Sequence, residues 1–118
     1  MTDLAEYRPE SLPPAVAAAL DLRRRRHAAD DLDEIFTADA AVTDDGREWV
    51  GITAVSSWLA TEASEYSYTS TPLGQAQVSD DQWVVRVHLA GDFPGGVVDL
   101  DYRFTLREGR IRELIISV

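Results

Sequence analysis

The spacing of apolar positions changes near Ser64, from a helical period before it to strict alternation after it. Ser11-Leu12-Pro13-Pro14 opens a first helix, since proline suits the first turn, where its missing N–H has no partner to lose. Leu12, Val16 and Leu20 mark the apolar stripe, and the pattern runs on to about His27. A shorter helix is predicted from Asp30, capped by Asp30 or Asp31, with Leu32, Ile35 and Phe36 as its apolar face. Ala41–Asp44 and Arg47–Val50 are two short strands around Asp45-Gly46. Asp-Gly favours a two-residue hairpin because both central positions need positive φ. Gly51 ends that hairpin, and Ile52, Val55 and Leu59, with Trp58 beside them, recur at helical spacing.

Four strands follow: Tyr66–Val78, interrupted at Pro72 and Gly74, then Gln82–Ala90, Val97–Arg107 and Arg110–Val118. Ser79-Asp80-Asp81, Pro94-Gly95-Gly96 and Glu108-Gly109 supply the turns of an antiparallel meander. Helices first and strands later predict an α+β domain, its helices on one side of a curled sheet.

A chain of 118 residues suits one core. Residues 1–12 are expected to form a loose N-terminal arm and residues 13–118 the single domain. The formal charge of −10 argues against nucleic acid and anionic membrane surfaces as partners, because both demand positive charge. No cysteine is present, which excludes disulfides, thiolate metal sites and a cysteine nucleophile. The N-terminus lacks a signal-peptide pattern and no run approaches the ~20 apolar residues of a membrane span, so a cytoplasmic location is expected. His27 and His88 have no neighbours at metal-ligand spacing, and no phosphate-cradling glycine motif or Gly-x-Ser-x-Gly elbow occurs. Neither a metal nor a cofactor is expected.

The hairpin carries the most chemistry. A two-residue turn pairs Asp44 with Arg47 and Val42 with Trp49, all four on one face. Asp44 is either a general base near an apolar wall or a turn aspartate tied to Arg47. On the third long strand Val98, Leu100, Tyr102, Phe104 and Leu106 share a face, so Tyr102 would aim its hydroxyl into the interior as a donor or pack as a core aromatic. Four consecutive arginines, Arg23–Arg26, cover most of a helix circumference, so one of them, Arg24 or Arg23, turns toward the core stripe. Its stem would snorkel to solvent or its head would meet a carboxylate. Trp58 and Trp83 are expected in the core or the pocket wall.

The phrases His27-Ala-Ala-Asp-Asp-Leu, Phe36-Thr-Ala-Asp-Ala-Ala-Val-Thr-Asp, Gly51 with Trp58, and Tyr102-Arg-Phe-Thr-Leu-Arg-Glu-Gly-Arg-Ile111 resemble the nuclear-transport-factor-2-like superfamily. The resemblance is to its SnoaL-like and ketosteroid-isomerase-like members and runs from about Pro13 to Val118. It implies a cone-shaped, curved mixed or antiparallel sheet wrapped around the N-terminal helices, an apolar pocket and a homodimer. It places the isomerases' general base on Asp44, one oxyanion-hole donor on Leu20 and the other on Tyr102. One donor is therefore lost and the other replaced by a phenol, which argues against steroid isomerisation. Leu20, Arg24, Arg47, Trp49, Trp58, Trp83 and Phe104 would line the pocket around a small apolar or aromatic organic molecule. The expected function is small-molecule binding with cofactor-free isomerase, cyclase or dehydratase chemistry; the alternative is a non-catalytic ligand-binding or dimeric interaction domain.

Overall fold

The computed structural model describes residues 4–25, 32–61 and 68–118, with backbone alone for residues 22–25 and 61. A 3-10 turn at Pro9–Ser11 precedes helix α1 (Pro14–Arg25), followed by the single turn α2 (Leu32–Ile35). Strands β1 (Phe36–Asp44) and β2 (Arg47–Val50) flank the Asp45-Gly46 turn, and α3 (Ile52–Thr61) follows. The rest is β3 (Tyr68–Ser79), β4 (Gln82–Gly91), β5 (Val97–Arg107) and β6 (Arg110–Ser117).

The hairpin forms as its turn residues dictate. Asp45 and Gly46 have φ of 53° and 77°, and the register pairs Asp44 with Arg47 and Val42 with Trp49. Strand β1 is longer than expected. Phe36, assigned from sequence to the short helix, opens β1 and pairs in parallel with Ile111, because β6 offers the backbone partners that local pattern does not show. A register shift between Phe36 and Ala41 lets the strand bend there.

All six strands form one mixed sheet in the order β2-β1-β6-β5-β4-β3, antiparallel except for the β1–β6 pair. The predicted meander therefore ends beside the early hairpin, joining the two halves of the chain. Two cross-strand rows define the concave face. One runs Arg47, Asp44, Ile116, Tyr102, Val85, Gln75; the other runs Trp49, Val42, Leu114, Phe104, Trp83, Gln77. Helix α1 lays Ala15, Val16, Ala19 and Leu20 into this concavity, Leu12 ahead of it joins them, and α3 adds Val55, Trp58 and Leu59. Trp58, Phe36 and Phe104 are the largest fully buried side chains. Each contributes about 1.5–3 kcal/mol by leaving water.

The segment expected as a loose arm is fastened. Ala5 and Gln75 exchange both backbone hydrogen bonds, at 2.7 and 3.0 Å, and the Arg8 N–H donates to Gln75 Oε1 at 2.7 Å. The cause lies at the sheet edge: β3 is an outer strand whose unpaired backbone groups accept the arm as a short extra strand. On the convex face, Arg86 forms a bidentate pair with Asp101 at 2.7 and 3.2 Å, and His88 Nδ1 lies 2.6 Å from Asp99 Oδ1. His88 thus sits on the outer side of the sheet. His27, Asp30 and Asp31 lie outside the described residues, as do the side chains of Arg23–Arg26.

Candidate functional site

The concave face brings Asp44 and Tyr102 to the same level of the sheet. Each pairs with Ile116, from opposite sides, so the two stand in one row with a single strand between them. At ~4.8 Å per strand their backbones are about 10 Å apart. Asp44 ends β1 and is half-buried, while Tyr102 is 3% exposed.

Trp58 does more than fill the wall. Its indole Nε1–H donates to Asp44 Oδ2 at 3.1 Å, from a side chain that is 1% exposed. Helical spacing puts Trp58 beside the Val55–Leu59 stripe, so α3 carries a buried donor to the end of β1. Arg47 sits with its guanidinium carbon 5.1 Å from the centre of the Trp49 ring, a cation–π contact at the rim. Trp49 is half-buried and Arg47 exposed.

A small cavity opens beside Tyr102. Strand β3 contributes Tyr68, Ser70 and Pro72, β4 contributes Val87 and Leu89, α1 contributes Leu20, and the arm contributes Tyr7. Its volume is about 20 Å³, on the scale of one water. Leu20 and Tyr102 therefore share one cavity, whereas Asp44 lies off its lining. Phe104 packs beneath, with its ring 6.4 Å from that of Tyr102, and is 1% exposed. Trp83, across the ladder from Phe104, is half-buried against the core. Phe104 and Trp83, both expected as pocket lining, lie in the neighbouring row of the concave face and off the lining of this cavity, whose wall beside Tyr102 is completed by β3 and the arm. Arg24 falls among the residues whose side chains are not described.

Sequence reasoning missed Tyr7, Tyr68 and Ser70. Tyr68, Ser70 and Pro72 alternate on one face, a signal within the predicted strand, but their facing toward the cavity depends on the register shift between Pro72 and Gly74. Tyr7 gave only the weaker signal of one aromatic in a polar segment.

A second depression of about 590 Å³, open to solvent, lies between α2 and α3, lined by Leu32, Asp33, Ile52, Ser56 and neighbours. None of the expected site residues lines it. Among the described residues no cluster of three His, Asp or Glu side chains is placed to hold a metal, and no helix is long and apolar enough to cross a membrane.

Away from the cone interior, Arg107 and Thr37 hold Asp39. Arg107 Nη2 and Nη1 donate at 2.6 and 3.2 Å, and Thr37 Oγ1 donates at 2.7 Å. The Arg107 hydrogen bond, then the Thr37 one, lowers the Asp39 carboxyl to about 2. This pair pins the bend in β1 to the end of β5.

The curved mixed sheet and the helices in its concavity define a nuclear-transport-factor-2-like domain. The profile of the SnoaL-like domain matches residues 16–114, and the chain belongs to that family. Among solved structures, a proposed polyketide cyclase from Sinorhizobium meliloti is 34% identical, covering 94% of this chain and 100% of its own, with a TM-score of 0.83. A protein of ketosteroid-isomerase-like fold from Catenulispora acidiphila, in complex with trimethylamine, is 16% identical over 92% of this chain and 87% of its own (TM-score 0.73). An NTF2-like protein of unknown function from an Exiguobacterium species is 19% identical over 87% and 96% (TM-score 0.68). No curated protein matches the chain.

Proposed function

We propose that this chain binds a small, largely apolar or aromatic organic molecule in the concavity of its sheet and performs cofactor-independent proton transfer on it, as an isomerase, cyclase or dehydratase. The observation that carries the proposal is the single row holding Asp44 and Tyr102 with Ile116 between. The backbones of the two residues stand about 10 Å apart, a span on the scale of a substrate of one or two rings with one end toward the carboxylate and the other toward the phenol. Trp58 engages Oδ2, so Oδ1 takes the proton from a carbon acid or hydroxyl. The Tyr102 hydroxyl donates to the oxygen on which negative charge develops. Leu20, apolar and on the same cavity, supplies no second donor, which favours substrates more acidic than a simple ketone. The likeness to a proposed polyketide cyclase supports substrates of that kind, and a neighbour of the same fold forms a complex with a small molecule, trimethylamine.

A second reading, binding without turnover, is favoured by one observation: the cavity is about 20 Å³ and Asp44 lies off its lining. The two separate in one experiment. Wild type and Asp44→Asn are incubated with 2-tetralone or a cyclic β-diketone in D2O, and loss of the α-proton signal is followed by NMR. Catalysis predicts an acceleration that falls at least ~100-fold in Asp44→Asn, with binding retained. Equal exchange rates in both proteins refute the role of Asp44; binding without exchange establishes the second reading. Homodimerisation belongs to this proposal through the convex face, and sedimentation tests it.

A further inference from the structure

The cavity beside Tyr102 is closed on one side by a residue from outside the cone. Tyr7 belongs to the arm ahead of α1, yet it lines the same space as Leu20 and Tyr102. The arm reaches that position through a latch on β3: the two Ala5–Gln75 backbone hydrogen bonds and the Arg8 N–H on Gln75 Oε1. Gln75 is 5% exposed, so its side chain is committed to this contact. Gly74 makes the approach possible. A Cβ there would stand 2.8 Å from the Ala5 carbonyl oxygen and 3.0 Å from Leu4 Cβ, closer than a side chain tolerates.

We infer that Tyr7 is the size-determining and removable wall of the binding cavity, and that the arm must shift for an aromatic molecule of one or two rings to enter. This rests on the proposed binding in the cone. A space of about 20 Å³ does not hold such a molecule, so one wall must give. The other walls are parts of α1 and of strands paired along their length, whose movement would open the core. The arm is fastened at Ala5 and Arg8 through Gln75 and packs Tyr7 against the core, set against the conformational entropy of ordering its residues. It is the wall of least resistance. Tyr7 therefore selects ligands by size.

The test titrates the full chain with 2-naphthol, followed by its fluorescence, alongside three variants. Tyr7→Ala removes the wall, Gly74→Val displaces the latch with Tyr7 intact, and Ser70→Phe fills the cavity from β3. Circular dichroism checks folding, and hydrogen exchange at Ala5, Arg8 and Gln75 reports the latch. Tyr7→Ala and Gly74→Val are expected to bind at least ~10-fold more tightly than wild type, with faster exchange at Ala5 and Gln75 in Gly74→Val. Ser70→Phe is expected to lose binding. If Ser70→Phe loses binding while Tyr7→Ala, folded, matches wild type, the wall assignment is wrong and binding in the cone stands. If Ser70→Phe binds as wild type does, or no protein binds, the cone reading itself is overturned and this inference with it.

Discussion

Trp58→Phe offers the sharpest check on how the carboxylate of Asp44 is held. The substitution keeps a ring in the same fully buried position but deletes the N–H that reaches Oδ2 at 3.1 Å. A hydrogen bond to a charged acceptor contributes about 1.5–3 kcal/mol. Asp44 is half-buried, so water recovers part of that loss, leaving about 1–2 kcal/mol. Loss of the indole's second ring adds about 1–2 kcal/mol of cavity cost, judged against 3–5 kcal/mol for complete truncation of a buried aromatic. The total is about 2–4 kcal/mol, or a fall in Tm of roughly 8–16 °C at about 4 °C per kcal/mol. Because the cavity cost is independent of Asp44, a double-mutant cycle isolates the bond. Trp58→Phe, Asp44→Ala and the double variant are unfolded in urea and their stabilities compared. A coupling of about 1–2 kcal/mol is expected. Additivity within about 0.4 kcal/mol would show that the indole and the carboxylate do not support each other.

Two further outcomes follow from packing and charge. Phe104→Ala removes a 1%-exposed ring from the centre of the sheet and should cost about 3–5 kcal/mol in urea unfolding, more than Trp83→Ala, whose half-buried side chain lies on the neighbouring strand; equal losses would place Phe104 outside the core. The Asp39 carboxyl, lowered to about 2 by Arg107 and Thr37, lies below its ordinary value of 3.8. Its stabilising contribution is therefore complete above about pH 4 and is lost as pH falls toward 2, the window in which the unfolded chain binds the proton first. Carbon NMR of the Asp39 carboxyl should show that low midpoint, moving up toward the ordinary value in Arg107→Gln. An unchanged midpoint in that variant would remove Arg107 as the cause.

Much of the fold was legible because its signals are local. Asp45-Gly46 specifies positive φ at both turn positions, and the alternation of Val98 through Phe104 assigns the faces of β5 without reference to any other strand. The candidate site was only partly legible. Leu20 and Tyr102, two of the expected residues, line the cavity and Asp44 does not, while the cavity's other polar groups, Tyr7, Tyr68 and Ser70, come from an edge strand and an arm whose placement depends on a register shift and a backbone latch. The partner of Asp44 illustrates the same limit. An arginine was the natural expectation for a carboxylate near a core, whereas the structure supplies an indole N–H from α3.

The sequence by itself determined the order of elements, the hairpin register and which side of β1 and β5 turns inward. Those follow from periods of two and 3.6 residues and from turn residues acting over a few positions. Tertiary structure alone decided that Phe36 begins a strand, that β1 lies parallel to β6, and that the arm docks on β3 at Ala5 and places Tyr7 on the cavity lining. These depend on backbone partners distant in sequence. A hydrogen-bonding edge recruits whatever segment reaches it, and no local pattern records which one will.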